Sequence, residues 1–546
     1  MTRSGAENSV DSRQFGRSLA PIFVYNAAIM SESHTNPASS KRPVLSAIIV
    51  VLMVYGAASA LNLPQRATSL ILSDHAGNAK AVAAPGALTP PPYWTVLPFC
   101  LLLAAIAILP LSRRTEHWWE SNLHKFYVAA GLGLAVLAYY GFAHPHAIDR
   151  HFLNHVRIPR PEDDLFAWEH PWTIVANAIL QDFVPFIVLL FSLYTISGGI
   201  RIEGDLPARP MTNTLFLAVG AVLASVIGTT GAAMLLIRPL LETNRERKHV
   251  RHTVVFFIFV VCNCGGCLLP LGDPPLFLGY LQGVPFLWTL KLWKAWLLVN
   301  GALLAIYYAW DRFRCYPNEE LRAVARDETR VHPLRFGGAW PNALLLLGVV
   351  LAVAMLDVTK AVPGTDWHPW LYLRECVLLS LVGLSLAIGP ESIRHGNKFT
   401  YGAIVEVAAL FLGIFICMQP ALQILHVRGK ELGIDSAAKF FWTTGALSSV
   451  LDNAPTYLVF FETAKALPPG DDTLAAVGVS DLLLAAISLG AVFMGANSYI
   501  GNGPNFMVKT IAEKSGIPMP SFFGYMVFSG AILVPLFALV TFLFFV

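Results

Sequence analysis

Charge is scarce in this chain. Asp, Glu, Lys and Arg make up 13% of its 546 residues and hydrophobic residues 55%, whereas a soluble domain carries about 25% charged residues. That balance excludes an ordinary soluble protein and describes a polytopic membrane protein, with the lipid bilayer as its first partner. The net charge of +3 is too small to point to nucleic acid, and the basic residues gather in particular loops, where they report topology. Paired cysteines are lacking too. Seven cysteines, an odd number without extracellular spacing, describe no disulfide framework. No His/Glu zinc motif, Ser/Lys pair or phosphate loop stands in the apolar stretches. A membrane enzyme or receptor is therefore disfavoured, and no cofactor is expected beyond coupling ions, sodium and/or proton.

What is present is a broken apolar segment, Asn263-Cys264-Gly265-Gly266-Cys267-Leu268-Leu269-Pro270-Leu271-Gly272-Asp273-Pro274-Pro275. Its flanks would span a membrane as a helix, but its glycines, prolines, asparagine and aspartate prevent continuous helix. Unwound backbone at membrane depth is tolerated where protein buries it or where it lines a cavity, so the break marks a site for a polar solute. A second break follows late in the chain, Gly495-Ala496-Asn497-Ser498-Tyr499-Ile500-Gly501-Asn502-Gly503-Pro504-Asn505. Paired interruptions of this kind point to a transporter binding site. Cys262, Cys264 and Cys267 at the first break could hold a soft metal. Small residues that let backbones approach are the plainer reading, and no transition metal is expected.

Residues 1–42 are polar and read as a disordered tail, with Met30 as an alternative start. Residues 43–63 follow Lys41-Arg42 and read either as a signal peptide or as a first transmembrane helix. Further spans are expected at 94–111, 126–142, 172–197, 288–310, 343–356, 371–388, 403–425 and 522–546, with broken helices at 253–285 and 481–508. Two apolar stretches, 215–241 and 440–464, are interrupted by Gly228-Thr229-Thr230-Gly231 and Leu451-Asp452-Asn453-Ala454-Pro455. Each has two short arms around a polar tip and reads as a re-entrant hairpin. Basic residues place the loops after 94–111, 172–197 and the first hairpin in the cytoplasm, together with the linker 311–340. Arg150, Arg157 and Arg160 dissent, in an outside loop that also carries acids. This threading sends the hairpins in from opposite sides. The fold class expected is an all-α polytopic membrane protein built as an inverted repeat, with ten or eleven transmembrane helices, two re-entrant hairpins and two broken helices. Its halves are residues 94–310 and 341–546.

Opposed tips and unwound helices bring several helix ends to the midplane, where N-termini suit anions and free carbonyls suit cations. Asp273 and Asp452 bias the choice. A carboxylate in a span is costly to ionise, so its charge should follow the arrival of a cation or proton. Thr229, Thr230, Asn263, Asn453, Asn497, Ser498, Asn502 and Asn505 supply neutral oxygens of the kind sodium prefers. Asp273 and Asp452 could instead cap the helices that follow them, and of the two Asp452 is favoured for function. Asp182 and Glu406 are candidate proton carriers, with pairing to a neighbouring helix as the alternative. Glu462 and Arg238 read as interfacial anchors, and the loop histidines His144, His146, His151 and His155 as solvated.

At these residues the chain resembles the ion transporter superfamily of NhaD-type sodium/proton antiporters, arsenite-pump subunits and citrate and dicarboxylate carriers. Asn263-x-Gly265-Gly266 with Gly272-Asp273-Pro274 is similar to one family signature, and Ser448-Ser449-x-x-Asp452-Asn453-x-Pro455 to the hairpin of the antiporter branch. The resemblance covers residues 94–546. It implies a homodimer in a bacterial inner membrane, moving a transport domain against a scaffold in elevator fashion. The run Gly495-Ala496-Asn497-Ser498 departs from the Gly/Ser/Thr-rich pattern of NhaD-type proteins and is most like the bacterial branch assigned to citrate transport or sodium:proton antiport. Sodium(lithium)/proton antiport is the expected function, because no Lys or Arg stands at a tip or inside a break. A sodium- or proton-coupled citrate or other carboxylate carrier is the alternative.

Overall fold

The computed structural model describes residues 38–78, 89–112, 114–161, 164–329 and 332–546. The chain divides into compact units at residues 1–50 and 51–546. Of the first, the described part is the start of a helix, Ala38–Ala60, with Pro43 inside it. The expected disordered tail is thus corrected at residues 38–42, which are helical, and its remainder lies outside the described residues. A helix not expected from the sequence follows at Leu63–Asn78.

Helix dominates the larger unit, as an all-α membrane protein requires. Among the described residues, six helices are long and apolar enough to cross a bilayer: Lys41–Ala60, Asn122–Phe142, Glu169–Ser197, Pro210–Ile227, Phe286–Asn318 and Phe522–Phe544. The bent pair Gly402–Cys417 and Gln419–Leu432 makes a seventh if it is one span. The sequence predicts more. Several expected spans instead hold shorter apolar helices, Tyr93–Ile108, Arg251–Cys267, Ala339–Met355 and Asp481–Asn497. Tight turns and unwound backbone cut them, at Leu109–Leu111 around Pro110 and at the two glycine-rich breaks.

The broken helices form the core. Val254 to Val261 are all buried, as are Ile487 to Met494, so neither needs a polar face, and Ser488 is the one polar side chain in the two stretches. The outer helices differ: Leu134 and Phe142 on Asn122–Phe142, and Val527 and Phe542 on Phe522–Phe544, are exposed. Apolar side chains turned outward suit a lipid surround.

The first pair of arms is Pro210–Ile227 and Thr229–Thr243, joined through Gly228 at φ +80°. Its first arm is 18 residues long and begins earlier than the sequence reading, because Pro210 opens the helix at a position that needs no N–H. The second pair is Ala437–Ser448 and Asn453–Lys465.

Away from the apolar core a little strand accompanies the helices. Among the described residues three short antiparallel pairs occur, Ile148–Arg150 with Val156–Ile158, Arg201–Asp205 with His332–Gly337, and Thr473–Leu474 with Val479–Ser480. The linker 311–340 therefore folds back on the loop after Glu169–Ser197. Arg247 ties it further: its guanidinium lies 2.5 Å from Asp311 and 3.3 Å from Glu319, all nearly inaccessible to solvent.

The dissenting arginines are held locally, Arg157 by Asp149 at 3.1 Å and Arg160 by the carbonyls of Phe142 and His144. Of the loop histidines, His146, His151 and His155 are exposed as expected. His144 is buried, with Nδ1 3.1 Å from the Tyr139 hydroxyl. Burial, reinforced by His170, His146 and Arg160, pushes it down to about 4, so the solvated reading is corrected there.

Candidate functional site

Local sequence decides which way each acid faces. A residue at a helix N-cap can accept a hydrogen bond from the N–H of the second or third helical residue. After Asp273 the first two helical residues are Pro274 and Pro275, which have no N–H, and the amide of Leu276 bonds the Asp273 backbone carbonyl at 3.1 Å. The Asp273 side chain has nothing to cap and turns away from its own helix. After Asp452 the second position is Ala454, whose N–H donates to Asp452 Oδ1 at 3.1 Å. Asp452 caps.

Asp273 is buried, 1% exposed, and receives donors from three other elements. Thr229 Oγ1 donates to Oδ1 at 2.8 Å, Asn502 Nδ2 to Oδ1 at 3.0 Å, and Asn453 Nδ2 to Oδ2 at 2.5 Å. Bonds of this type favour the ionised carboxylate and offset part of the cost of burying it. The amides extend the network. Asn502 also donates to the Cys262 carbonyl at 3.0 Å and to Asn263 Oδ1 at 3.3 Å. Asn263 donates to the Ile258 carbonyl and to Asn505 Oδ1, each at 2.8 Å, and Asn505 to the carbonyls of Gly495 and Ser498, each at 2.9 Å. Two tips and two breaks thus meet at one carboxylate.

Two acceptors beside this network, Asn453 Oδ1 and Asn497 Oδ1, are buried without a hydrogen-bond partner among the described residues. A buried orphan acceptor costs about 1–3 kcal/mol. Asn497 Nδ2 donates to Ser449 Oγ at 2.9 Å, and Ser498 Oγ accepts from the amides of Ile500 and Gly501, each at 3.2 Å, holding the second break in its turn.

Other expected residues do not bond to Asp273. Thr230 lines a cavity of about 60 Å³ together with Thr229, Gly272 and Pro274 beside Asp273 and with Tyr194 and Ile404. Asp182 sits in a π-helical stretch, Ala176–Phe183, and accepts from Gln282 Nε2 at 3.3 Å. Glu406 pairs with the buried Lys125 at 2.6 Å, the neighbouring-helix alternative. Cys262, Cys264 and Cys267 are buried and free. Among the described residues, the one close group of metal-ligand type is His252, Asp311 and Cys315, where Asp311 is already engaged by Arg247.

Sequence reasoning includes Ser449 in the hairpin motif without giving it a role and misses Ser225, and these two serines lock each tip to its break. Ser225 Oγ donates to the Gly265 carbonyl at 2.6 Å, and Ser449 Oγ to the Met494 carbonyl at 3.1 Å. Each lies one helical turn before the tip residue that reaches Asp273, Thr229 in one case and Asn453 in the other. That spacing is the signal that could have found them. The glycines match likewise. A Cβ on Gly266 would stand 3.1 Å from the Gly272 carbonyl oxygen, and one on Gly495 would stand 3.3 Å from that of Gly501. Asp273 and Asn502 have the same extended backbone, at φ −144° and −153°.

A protein-family model described as "Putative citrate transport" matches residues 161–545. A search of curated proteins finds no match.

Proposed function

We propose that this chain, which belongs to the citrate-transport family matched by its residues 161–545, is a secondary active transporter that couples a small cation to a proton at Asp273. One observation carries the reading: a single buried carboxylate is bonded by Thr229, Asn453 and Asn502, and the Asn453 side chain that bonds it also carries an orphan oxygen. A proton would neutralise the acid. A sodium or lithium ion would do the same and would use the neutral oxygens as ligands, so the two compete for one group. Sodium(lithium)/proton antiport needs nothing more, and among the described residues no cationic side chain bonds to the cluster.

The matched serine bonds, glycine contacts and extended residues support an inverted repeat of residues 94–310 and 341–546, in which both pairs of arms are re-entrant hairpins. On this reading Thr229 corresponds to Asn453 and Asp273 to Asn502. The hairpins and broken helices move together in elevator fashion, and the outer spans 94–111 and 343–356 hold a homodimer in a bacterial inner membrane.

The second reading, a cation- or proton-coupled citrate carrier, is favoured by the family match itself. Reconstitution in proteoliposomes separates the two. Antiport requires sodium-driven proton movement without citrate, whereas the carrier requires labelled citrate uptake that depends on sodium or a proton gradient. Absence of both would overturn the proposal.

A further inference from the structure

A second cavity, of about 700 Å³, opens on the face that the basic loops assign to the cytoplasm. It lies among the outgoing arm of the first tip, the start of the first broken helix and the end of the second. Arg238 enters it from the arm, Lys248 from the loop that follows and Arg251 from the first residue of the helix Arg251–Val260, while Ile511 and Ser515 close it from the other break. A volume of this size holds a small organic ligand.

Charge in this basin is unbalanced. Arg245 pairs with Glu242 at 3.3 Å, and Arg247 is engaged by Asp311 and Glu319 behind the wall. The side chains of Arg238, Lys248 and Arg251 line the space without a carboxylate partner among the described residues, the Lys248 backbone N–H bonding Glu319 at 2.8 Å; Arg251 is held by the neutral Pro518 carbonyl at 2.7 Å. The helix Arg251–Val260 has no side-chain cap, so its first N–H groups add partial positive charge at the same place. Basic residues spread by the positive-inside rule would need only a solvated loop. Here they converge on one concave space bounded by both broken helices.

We infer that this basin binds a multivalent small carboxylate of the citrate class, as the cytoplasmic receiving site for the transported solute. Three cationic side chains around a space of this size complement the charge of a tricarboxylate, and Arg238 stands on the arm that carries Thr229 to Asp273. The inference deepens the carboxylate reading above and borrows from it only the class of anion.

The test is citrate binding to the purified full-length protein in nanodiscs of zwitterionic lipid, followed calorimetrically, for wild type, Arg238→Gln, Lys248→Gln and Asp273→Asn. Loss of one charge-assisted contact should weaken citrate by about tenfold or more, so both basin variants weaken it. Lys248→Gln changes a loop residue and keeps the test valid if Arg238→Gln fails to fold. Unchanged citrate binding in the basin variants, or loss only in Asp273→Asn, overturns the inference. So does a basin that binds inorganic phosphate as tightly as citrate and is blocked by anionic lipid, which would assign it to a headgroup. Labelled uptake by the same proteins keeps the two ideas apart. Citrate bound in the basin but not transported would sink the carrier reading and with it the basin's receiving role, and citrate transported regardless of the basin would sink this inference alone.

Discussion

Asp273 and Asp452 are both acids at the start of a helix inside an apolar segment, yet they do opposite work. Asp452 is spent on its own helix, because the amide of Ala454 is there to be capped. Asp273 precedes two prolines, has no amide of its own helix to accept, and is bonded by Thr229, Asn453 and Asn502 from three other elements. The comparison teaches that an acid's availability for coupling depends on what the next two residues donate, more than on its depth or its neighbours in sequence. The proposed function accordingly ranks Asp273 ahead of Asp452, the opposite of the sequence reading.

The largest expected effect is that of Asp273→Asn, which should reduce sodium-driven proton movement to that of empty vesicles while the protein stays folded and inserted. Coupled exchange by this variant at the wild-type rate would return the coupling role to Asp452, Asp182 or Glu406.

Next come the glycines that let each break fold on itself. A Cβ on Gly272 would collide with the Gly266 carbonyl oxygen, and one on Gly501 would stand 2.6 Å from that of Gly495. Neither backbone oxygen can yield cheaply, so Gly272→Ala and Gly501→Ala should each cost about 1–3 kcal/mol or more, with Gly272→Ala the worse. Thermal unfolding in detergent measures both, and equal tolerance at the two positions would break the matched geometry.

Smaller losses are expected from Thr229→Val and Asn453→Ala. Each removes one hydrogen bond to a charged group, worth about 1.5–3 kcal/mol, and because they act on the same carboxylate their effects should not add. A double-mutant cycle in stability and in sodium dependence checks this.

The smallest effect is that of Asp452→Asn. Asparagine caps about as well as aspartate, so stability and exchange should stay near wild type, whereas Asp452→Ala should cost about 1 kcal/mol of stability. Abolished exchange in a folded Asp452→Asn protein would contradict the contrast drawn here.

Much of this arrangement is legible in the residues. Glycine and proline mark both breaks, and Gly228 and Leu451-Asp452 mark both tips, whereas the sequence reading leaves Asp273 as a possible cap that the structure does not show. What the sequence hides is long-range pairing. Nothing local tells that Asn453 rather than Asp452 reaches Asp273, that Thr229 rather than Thr230 does so, or that the linker strand His332–Gly337 pairs with Arg201–Asp205. Such contacts join residues far apart in the chain and are set by packing. His144 shows the same limit. A histidine in a loop reads as solvated until the structure puts it under Tyr139.

The central claim, that Asp273 is where proton and cation compete, is tested most directly by the protons released when sodium binds. Titration calorimetry of the purified protein in two buffers of different ionisation enthalpy gives that number. Wild type and Asp452→Asn should release protons on sodium binding and Asp273→Asn should release none; proton release by Asp273→Asn, with Asp452→Asn silent, would contradict the account.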